Sequence, residues 1–465
     1  MHSHREDRSR GWLAFAVAAI ISPALLAQPY GLQVENLTNP LGIDVLAPRL
    51  SWKIDGAMQM AYELRAATSV DGLEIADLWD TGKVNSGRSN NVNYGGTSPG
   101  SRQRVYWQVR VWTDLDPSAP SAWSAPAFWE MGLLNQSDWS AQWIGYTKIA
   151  GTVVYQRVFS IASGPVQSAR LYISGLGMYS VTINGQPASD DVLTPGDTLQ
   201  RVRLEYATLD VTGLLAQGSN TLTVQLGNGP YSAVYPAGRY VVSTGGNNPN
   251  GTELRAQLEI ATPSGTQTIG TDGTWSTIIG PTTTSTWWGG EDYDARRQPN
   301  LFFPTQITAA PFPGASLSWR GAPGVQVMEQ VHTAAITQPG PGVYVFDMGL
   351  NFAGWFQLQV AGSMGTRVTM RIGEILNPDG TVSQTTTGSP IFDTYTLSGN
   401  GVETWHPTFA YHGFRYLQVT GLPAPPANDT ITGFVLRGAN EPAGSFSSSN
   451  SLLNQIHAMI NRSIQ

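Results

Sequence analysis

One dense group of carboxylates stands out in the sequence. Glu291, Asp292 and Asp294 follow a Trp-Trp-Gly-Gly stretch and precede Arg296. Hydrolysis of a glycoside needs two carboxyl groups, about 5.5 Å or about 6.5–9.5 Å apart. Asp292 and Asp294 would lie about 7 Å apart on one face of a strand, so their spacing permits a catalytic pair. We favour the alternative that the cluster pairs with Arg296 and fixes a domain junction.

A second acidic site is formed by Asp190 and Asp191, with Asn228 further along in a glycine-rich stretch. Carboxylate and amide oxygens are the ligands that Ca²⁺ prefers, about six to eight per ion. Neighbouring aspartates reach one ion only from a loop, and Pro195-Gly196 makes such a loop plausible. The three residues are therefore candidate metal ligands, with a solvated acidic turn as the alternative.

Aromatic side chains are the third group with possible chemistry, because a flat ring can stack on the C–H face of a sugar. Trp107 and Trp123 lie in strand-like segments, where we expect them in a core. Four others lie beside glycine-rich segments and are candidates for exposed sugar platforms: Tyr231, Tyr235, Trp287 and Trp288.

Composition excludes several other classes of protein. The 465 residues include 26 Lys+Arg and 33 Asp+Glu, for a net charge of −7. That balance argues against a nucleic-acid partner, which needs clustered cations. There is no cysteine, which excludes disulfides, a thiolate nucleophile and Cys-ligated zinc. The sequence also has no GxxxxGK[ST], HExxH or GxSxG motif.

The elements that must position these residues are short strands of period two, separated by turn residues. In the clearest strand, Val105, Trp107, Val109 and Val111 share one face. The pattern predicts an all-β fold of three tandem β-sandwiches: a fibronectin type III-like domain at 28–135, a second sandwich at 136–310 and a third at 311–438. Asn184-Gly185 and Asn377-Pro-Asp-Gly380 are predicted turns.

The two ends of the chain break this pattern. Three arginines precede an apolar run from Trp12 to Ala27, which is typical of a signal peptide at 1–27. Cleavage would leave Gln28 first, or Leu25 if the cut follows Ala24, and the mature protein would be secreted and free of the membrane. A retained N-terminal anchor is the alternative. At 439–465, Asn450 can cap a helix whose Leu453, Ile456 and Ile460 we expect to form an unpartnered apolar face.

A series of short motifs runs along nearly all of the mature chain. They are Leu50–Trp52, Trp79–Gly82, Tyr106–Arg110, Trp139–Gly145, Gly175–Tyr179, Ile183–Gly185, Asp210–Thr212, Leu226–Gly229, Gly289–Arg296, Asp347–Gly354, Gly373–Gly380, Asp393–Tyr395 and Tyr411–Tyr416. Singly the motifs are weak, but their order is specific. With the motifs in this order, the chain resembles the α-L-rhamnosidases of glycoside hydrolase family 78.

The resemblance implies that the second domain is similar to a Ca²⁺-dependent rhamnose-binding module, with Asp190, Asp191 and Asn228 near the ion and the sugar. Pro230 stands where the family commonly has Trp, which puts one stacking platform in doubt. The resemblance also places the family's general acid and base in a later (α/α)6 barrel, of which the helix after Asn450 looks like the beginning. We therefore expect no catalytic residue and no rhamnosidase activity in 28–465.

Two functions remain open from the sequence. The chain is either the accessory, substrate-binding N-terminal portion of a secreted α-L-rhamnosidase, which inverts in the full enzyme, or a standalone Ca²⁺-dependent lectin for rhamnose-bearing glycans. Catalysis by Glu291 or by the isolated Glu374 is a remote third possibility.

Overall fold

The computed structural model describes residues 28–161, 164–234, 236–240, 251–297, 302–309, 312 and 314–464. The predicted signal peptide and Tyr235 lie outside these residues. The chain divides into two compact units, Met1–Pro40 with Val45–Glu130, and Leu41–Asp44 with Met131–Gln465. In both units the regular secondary structure is mainly β-strand, and most strand pairs are antiparallel, so the all-β prediction is confirmed. In the described ranges, no helix is long and apolar enough to cross a membrane.

The first unit holds two antiparallel sheets, one in the order β1–β3–β6 and the other containing β8–β7–β4–β5. Trp107 is fully buried, as are Val105, Val109 and Val111 beside it, which confirms the predicted core face. Trp123 is instead half-buried, because it lies between the guanidinium groups of Arg65 and Arg110, 4.9 and 4.6 Å from its ring. Its core prediction was wrong. The strands that begin the chain are β1 (Tyr30–Val34), β2 (Leu41–Ile43), β3 (Arg49–Lys53), β4 (Gln59–Ala67), β5 (Trp79–Asp80), β6 (Val92–Asn93), β7 (Arg104–Thr113) and β8 (Ala127–Met131), with a 3-10 helix at Asp71–Glu74.

The second unit begins with a sandwich of two sheets whose inner faces share one apolar core. Asn184 and Gly185 have φ angles of 52° and 79°, the left-handed pair that the predicted hairpin turn requires. The strands are β9 (Ile144–Gly145), β10 (Val153–Ile161), β11 (Ser168–Leu176), β12 (Met178–Ile183), β13 (Gln186–Pro187), β14 (Arg203–Asp210), β15 (Gly218–Gly227), β16 (Glu253–Thr262), β17 (Gly265–Gly270) and β18 (Ser276–Ile279), with 3-10 helices at Gln136–Asp138 and Thr212–Leu214.

Later strands complete these sheets and build a third one. The six-stranded sheet has the order β13–β12–β15–β10–β18–β21, and the seven-stranded sheet the order β22–β9–β16–β11–β14–β23, with β17 on β16. The next strands along the chain are β19 (Thr282–Thr286), β20 (Gly290–Asp294), β21 (Phe302–Pro304), β22 (Gln306–Ile307), β23 (Ser316–Trp319), β24 (Val325–His332), β25 (Ala335–Gly340) and β26 (Val343–Ala361).

The third sheet has ten strands along the path β19–β20–β30–β27–β32–β26–β33–β24, with β25 and β31 on β26. The domain boundary at residue 310 stays a prediction, yet β19 and β20 hydrogen-bond into this sheet, with β20 parallel to β30. Gly380 closes the predicted turn with a bond to the Asn377 carbonyl at 2.9 Å. The remaining strands are β27 (Arg367–Gly373), β28 (Ile375–Leu376), β29 (Val382–Ser383), β30 (Asp393–Thr396), β31 (Val402–Trp405), β32 (His412–Thr420) and β33 (Ile431–Gly438).

A single α-helix is found among the described residues, α1 (Ser451–Ile464). Asn450 caps it, since its side-chain oxygen accepts the Leu452 N–H at 3.0 Å. Leu453, Ile456 and Ile460 are 47%, 38% and 51% exposed. The predicted cap and the predicted exposed apolar face are both confirmed.

Candidate functional site

Asp190 and Asp191 lie on a groove of the second unit with a volume of about 340 Å³. We call it the Asp191 groove. Its lining joins the loop after β13 to side chains from distant parts of the chain. They include Tyr179, Val181, Asp190, Asp191, Leu193, Arg320, Trp355, His406 and Phe409.

Backbone bonds hold the aspartate loop in place. The Val192 N–H donates to the Val325 carbonyl at 2.8 Å, and the Tyr179 N–H donates to the Thr194 carbonyl at 2.8 Å. Gly324 packs against the Asp191 carboxylate so closely that a Cβ there would lie 2.3 Å from its carbon. The loop is therefore fixed between two strands, and glycine at 324 leaves room for the carboxylate.

The two aspartates have different surroundings. The Asp191 carboxylate accepts hydrogen bonds from the Arg320 guanidinium and, at 2.9 Å, from the Gln326 amide. Asp190 is exposed. The Nη1 nitrogen of Arg320 is buried without a hydrogen-bond partner among the described residues. Beside the groove there are thus a buried guanidinium nitrogen without a partner among the described residues and an exposed carboxylate that can accept hydrogen bonds.

Aromatic rings form another part of the lining. Trp355 stacks on His406 with centroids 4.8 Å apart and planes 23° apart. His406 Nδ1 lies 2.8 Å from the Pro407 carbonyl, which can only accept, so this nitrogen donates. Burial lowers the pKa of His406, which favours a neutral ring with Nε2 as acceptor. A flat, mostly apolar surface therefore lies on the same groove as the charged groups.

Asn228 does not line this groove. It is 3% exposed, donates to the carbonyls of Ile149 and Ala150 at 3.1 Å each, and accepts a bond from Ser232 at 3.2 Å. Among the described residues, no group of three His, Cys, Asp or Glu could hold a metal ion. Because Asp191 and Asn228 spend their polar atoms on separate partners, the three predicted ligands do not fit one shared Ca²⁺ ion as arranged here.

The predicted aromatic platforms lie in two other places. Tyr231 is 6% exposed, packs edge-on against Phe312 at 5.7 Å, and shares a small cavity with Trp287. Trp287 stacks on Trp288 with centroids 4.4 Å apart. Trp288 lines a third cavity, of about 320 Å³, with Tyr240, Glu374, Tyr411 and His412. The structure therefore brings Tyr231 and Trp287 together, and it separates both from Asp190 and Asp191.

Glu291 is fully buried and has its carboxylate committed to the backbone. Its oxygens accept the N–H groups of Thr408 and Phe409 at 3.0 and 2.6 Å, which ties β20 to the segment before β32. Burial raises the pKa of Glu291 to about 7. Phe409 lines the Asp191 groove, so the buried glutamate supports one side of that groove.

The rest of the acidic cluster is also paired. Asp292 accepts bonds from Arg239 and Thr394, and Asp294 forms a two-pronged pair with Arg296 at 2.9 Å. No two of Glu291, Asp292 and Asp294 face a common open cleft in the described cavities. These contacts suit the predicted junction role rather than a catalytic pair.

Several residues that line the cavities or support their walls were not indicated by the sequence. Arg320 and Gln326 lie outside the motifs, and they reach Asp191 across 129 and 135 residues of chain. Asp393 contacts His412 Nε2 at 3.0 Å, a pairing that the sequence did not indicate. For Trp355 and His412, the sequence did offer a signal. The family motif Asp347–Gly354 ends directly before Trp355, and the motif Tyr411–Tyr416 contains His412.

Three domain models of one enzyme family match the chain in succession. The Rha78A-like N-terminal immunoglobulin domain matches residues 29–135, the α-L-rhamnosidase N-terminal domain matches 164–334, and the bacterial α-L-rhamnosidase concanavalin-like domain matches 337–437. Fold and matches together define a multidomain β-sandwich protein of the glycoside hydrolases. The chain belongs to the α-L-rhamnosidase family, of which it carries the N-terminal β domains. The finer fibronectin type III assignment stays a prediction.

Individual relatives agree with this assignment. An α-L-rhamnosidase of Formosa agariphila is 33% identical over 96% of this chain and 51% of its own length. The α-L-rhamnosidase structure from Dictyoglumus thermophilum superposes with a TM-score of 0.85 at 31% identity, covering 93% of this chain and 51% of that one. A Streptomyces avermitilis α-L-rhamnosidase complexed with L-rhamnose gives a TM-score of 0.83 at 26% identity, covering 94% and 60%. The chain spans about half the length of these relatives.

Proposed function

We propose that this chain is the substrate-binding N-terminal portion of an exported α-L-rhamnosidase that removes terminal α-L-rhamnose from glycosides. The succession of three rhamnosidase domain models over residues 29–437 is the observation that carries the proposal. The basic and apolar start of the sequence supports export. The partners proposed are rhamnose-containing glycans or glycosides.

The Asp191 groove is the site proposed for rhamnose. This sugar is a 6-deoxyhexose, with an apolar methyl group at one end and hydroxyl groups on the ring. Val181, Leu193 and Phe409 offer apolar surface to the methyl group. The Arg320 Nη1, which has no partner among the described residues, can donate to a hydroxyl oxygen that reaches it, and the exposed Asp190 carboxylate can accept a hydrogen bond from a hydroxyl group.

Hydrolysis is proposed for the whole enzyme and not for these domains alone. An inverting mechanism needs one carboxylic acid to protonate the leaving oxygen and one carboxylate to activate water. Glu291 is committed to two backbone N–H groups and has no access to solvent. We expect residues 28–465 to bind the sugar and to leave p-nitrophenyl α-L-rhamnopyranoside unhydrolysed; turnover above a blank would contradict this.

Calorimetric titration of the chain with L-rhamnose tests the site. Arg320→Lys keeps the charge beside Asp191 but loses the second donor nitrogen, so we expect roughly tenfold weaker binding. Arg296→Lys makes the same change at an exposed pair and is expected to bind as the unchanged chain does. L-mannose, which carries a hydroxyl where rhamnose has only hydrogen at C6, should bind about fivefold more weakly. Equal binding by both lysine variants would contradict the assignment of the groove.

The proposal of export has its own test. Mass spectrometry of the chain recovered from culture medium is expected to show Gln28, or Leu25, as the first residue. Recovery of the unprocessed chain from membranes would favour the retained anchor instead.

A further inference from the structure

The cavity lined by Trp288, with a volume of about 320 Å³, shares no lining residue with the Asp191 groove. We call it the Trp288 cavity. Trp288 comes from the turn between β19 and β20, Glu374 from the residue after β27, and Tyr411 and His412 from the start of β32. Tyr240 completes the wall, held by its N–H bond to the Pro390 carbonyl at 2.8 Å. The volume falls within the range of small-molecule sites, roughly 300–1,000 Å³.

Aromatic rings provide the walls. Trp287 covers one face of the Trp288 ring at 4.4 Å, and Trp288 stays only half-buried. Tyr240 is held against Gly388, where a Cβ would meet its ring at 2.7 Å. The rings are therefore fixed by packing, and a ligand would not have to order them.

Polar groups with unused hydrogen-bonding capacity also line this cavity. Glu374 uses one carboxylate oxygen to accept from Asn351 at 3.0 Å, and its other oxygen has no partner among the described residues. In the described part of the chain, the hydroxyls of Tyr240 and Tyr411 and the indole N–H of Trp288 make no hydrogen bond. The cavity thus combines an acceptor carboxylate with at least three free donors.

His412 adds a fixed imidazole at the floor. It is 2% exposed, and its Nε2 lies 3.0 Å from a carboxylate oxygen of Asp393, which is fully buried. The other Asp393 oxygen accepts the Glu291 N–H at 2.7 Å. Because Nε2 donates to Asp393, Nδ1 is the ring nitrogen that has no hydrogen-bond partner among the described residues.

These features select a class of ligand. No lysine or arginine is among the described residues that line the cavity, so an anionic sugar would meet Glu374 without a counter-charge from them. An aromatic wall with a carboxylate also suits an organic cation, but a quaternary ammonium group has no acceptor for the indole and phenol donors. A neutral pyranose has both acceptors and donors on its hydroxyls and an apolar C–H face for a ring. We propose that the Trp288 cavity binds one residue of a neutral glycan, stacked on Trp288 and hydrogen-bonded to Glu374, as a second sugar site separate from the Asp191 groove.

Fluorine NMR of the full chain labelled with 5-fluorotryptophan tests the proposal, because Trp288 and Trp355 report the two cavities separately. Their resonances are assigned from Trp288→Phe and Trp355→Phe. The probes are methyl α-L-rhamnopyranoside, methyl β-D-glucopyranoside, galacturonate and choline. We expect a saturable shift of the Trp288 resonance with at least one neutral glycoside and none with galacturonate or choline.

Variants then locate the contacts. Glu374→Gln should raise the dissociation constant read from Trp288 roughly tenfold and leave the Trp355 response unchanged. Tyr411→Phe, which removes a single hydroxyl, should weaken binding to a smaller extent. Glu329→Gln makes the same change at an exposed residue and should have no effect.

Three outcomes would overturn the proposal: no Trp288 shift with either neutral glycoside, a shift produced equally by choline or galacturonate, or a Glu374→Gln variant that binds unchanged. A response at Trp355 alone would support the Asp191 groove and refute the second site, so the two proposals fail separately.

Discussion

The Asp191 groove and the Trp288 cavity have nearly equal volumes, about 340 and 320 Å³, but they treat their carboxylates differently. Asp191 is neutralised by Arg320 and bonded to Gln326, whereas Glu374 is held by a single amide from Asn351. A carboxylate with a cationic partner contributes to folding and offers little to a ligand. A carboxylate with an unbonded oxygen can accept a hydrogen bond from a ligand and contributes less to folding. Asp191 and Glu374 look alike in the sequence, but their contacts differ: Asp191 stabilises the fold, and Glu374 is available to a ligand.

Stability measurements should show the largest difference between these two residues. Asp191→Ala leaves the largely buried Arg320 guanidinium without its counter-charge, so we expect it to lower the free energy of unfolding by about 3 kcal/mol. Glu374→Ala, its matched control, should cost less than about 1 kcal/mol because only one hydrogen bond is lost. Urea unfolding followed by tryptophan fluorescence measures both. Equal losses would break the comparison.

Glu253 extends the comparison to a carboxylate with no partner at all. It is fully buried, and neither of its oxygens is hydrogen-bonded among the described residues. Burial raises its pKa from 4.5 to about 7. Burial also raises the pKa values of its neighbours Tyr155 and Tyr231 above the usual tyrosine value. Of these three groups, only Glu253 therefore titrates near neutrality.

The sign of the pH effect follows from that shift. The native state binds the Glu253 proton more tightly than the unfolded chain, so the stability from this group is complete below pH 4.5 and is lost as pH rises through about 7. Glu253→Gln should remove this loss and gain about 2 kcal/mol relative to the unchanged chain between acidic and mildly alkaline pH. Thermal unfolding across pH checks it, with the exposed Glu329→Gln as control. Parallel pH profiles for Glu253→Gln and the unchanged chain would show that the carboxylate is solvated or paired.

Much of the local structure could be predicted from the sequence, because it depends on neighbouring residues. The alternation from Val105 to Val111, the Asn184-Gly185 turn and the Asn450 cap are all properties of a few consecutive side chains. Trp123 shows the limit of this reasoning, since its surroundings depend on arginines from two other strands.

The sites depended on contacts that no local pattern encodes. Asp191 meets Arg320 across 129 residues, and Asp393 meets His412 only because β30 and β32 both flank β27. Asn228 was grouped with the aspartates by residue type, but its place at the end of β15 turns its amide toward the carbonyls of residues 149 and 150. Residue types indicated the chemistry, and sheet order decided which residues share a cavity.

Calcium is expected to have the smallest effect, and it bears directly on the Asp191 groove. Arg320 and Gln326 already bind Asp191, and the Asn228 amide binds other groups, so an added ion would have to displace the bound guanidinium before it gained Asp191 as a second ligand beside Asp190. We expect Ca²⁺ or a chelator to move the unfolding midpoint by less than about 1 °C, with unchanged rhamnose binding. Arg320→Gln is the sharper variant, because it frees the Asp191 carboxylate, and a Ca²⁺-dependent rise in the midpoint should appear there first. A rise of several degrees in the unchanged chain, reversed by the chelator, would mean that the loop carrying Asp190 and Asp191 rearranges around the ion, and it would contradict the expectation of a Ca²⁺-independent groove.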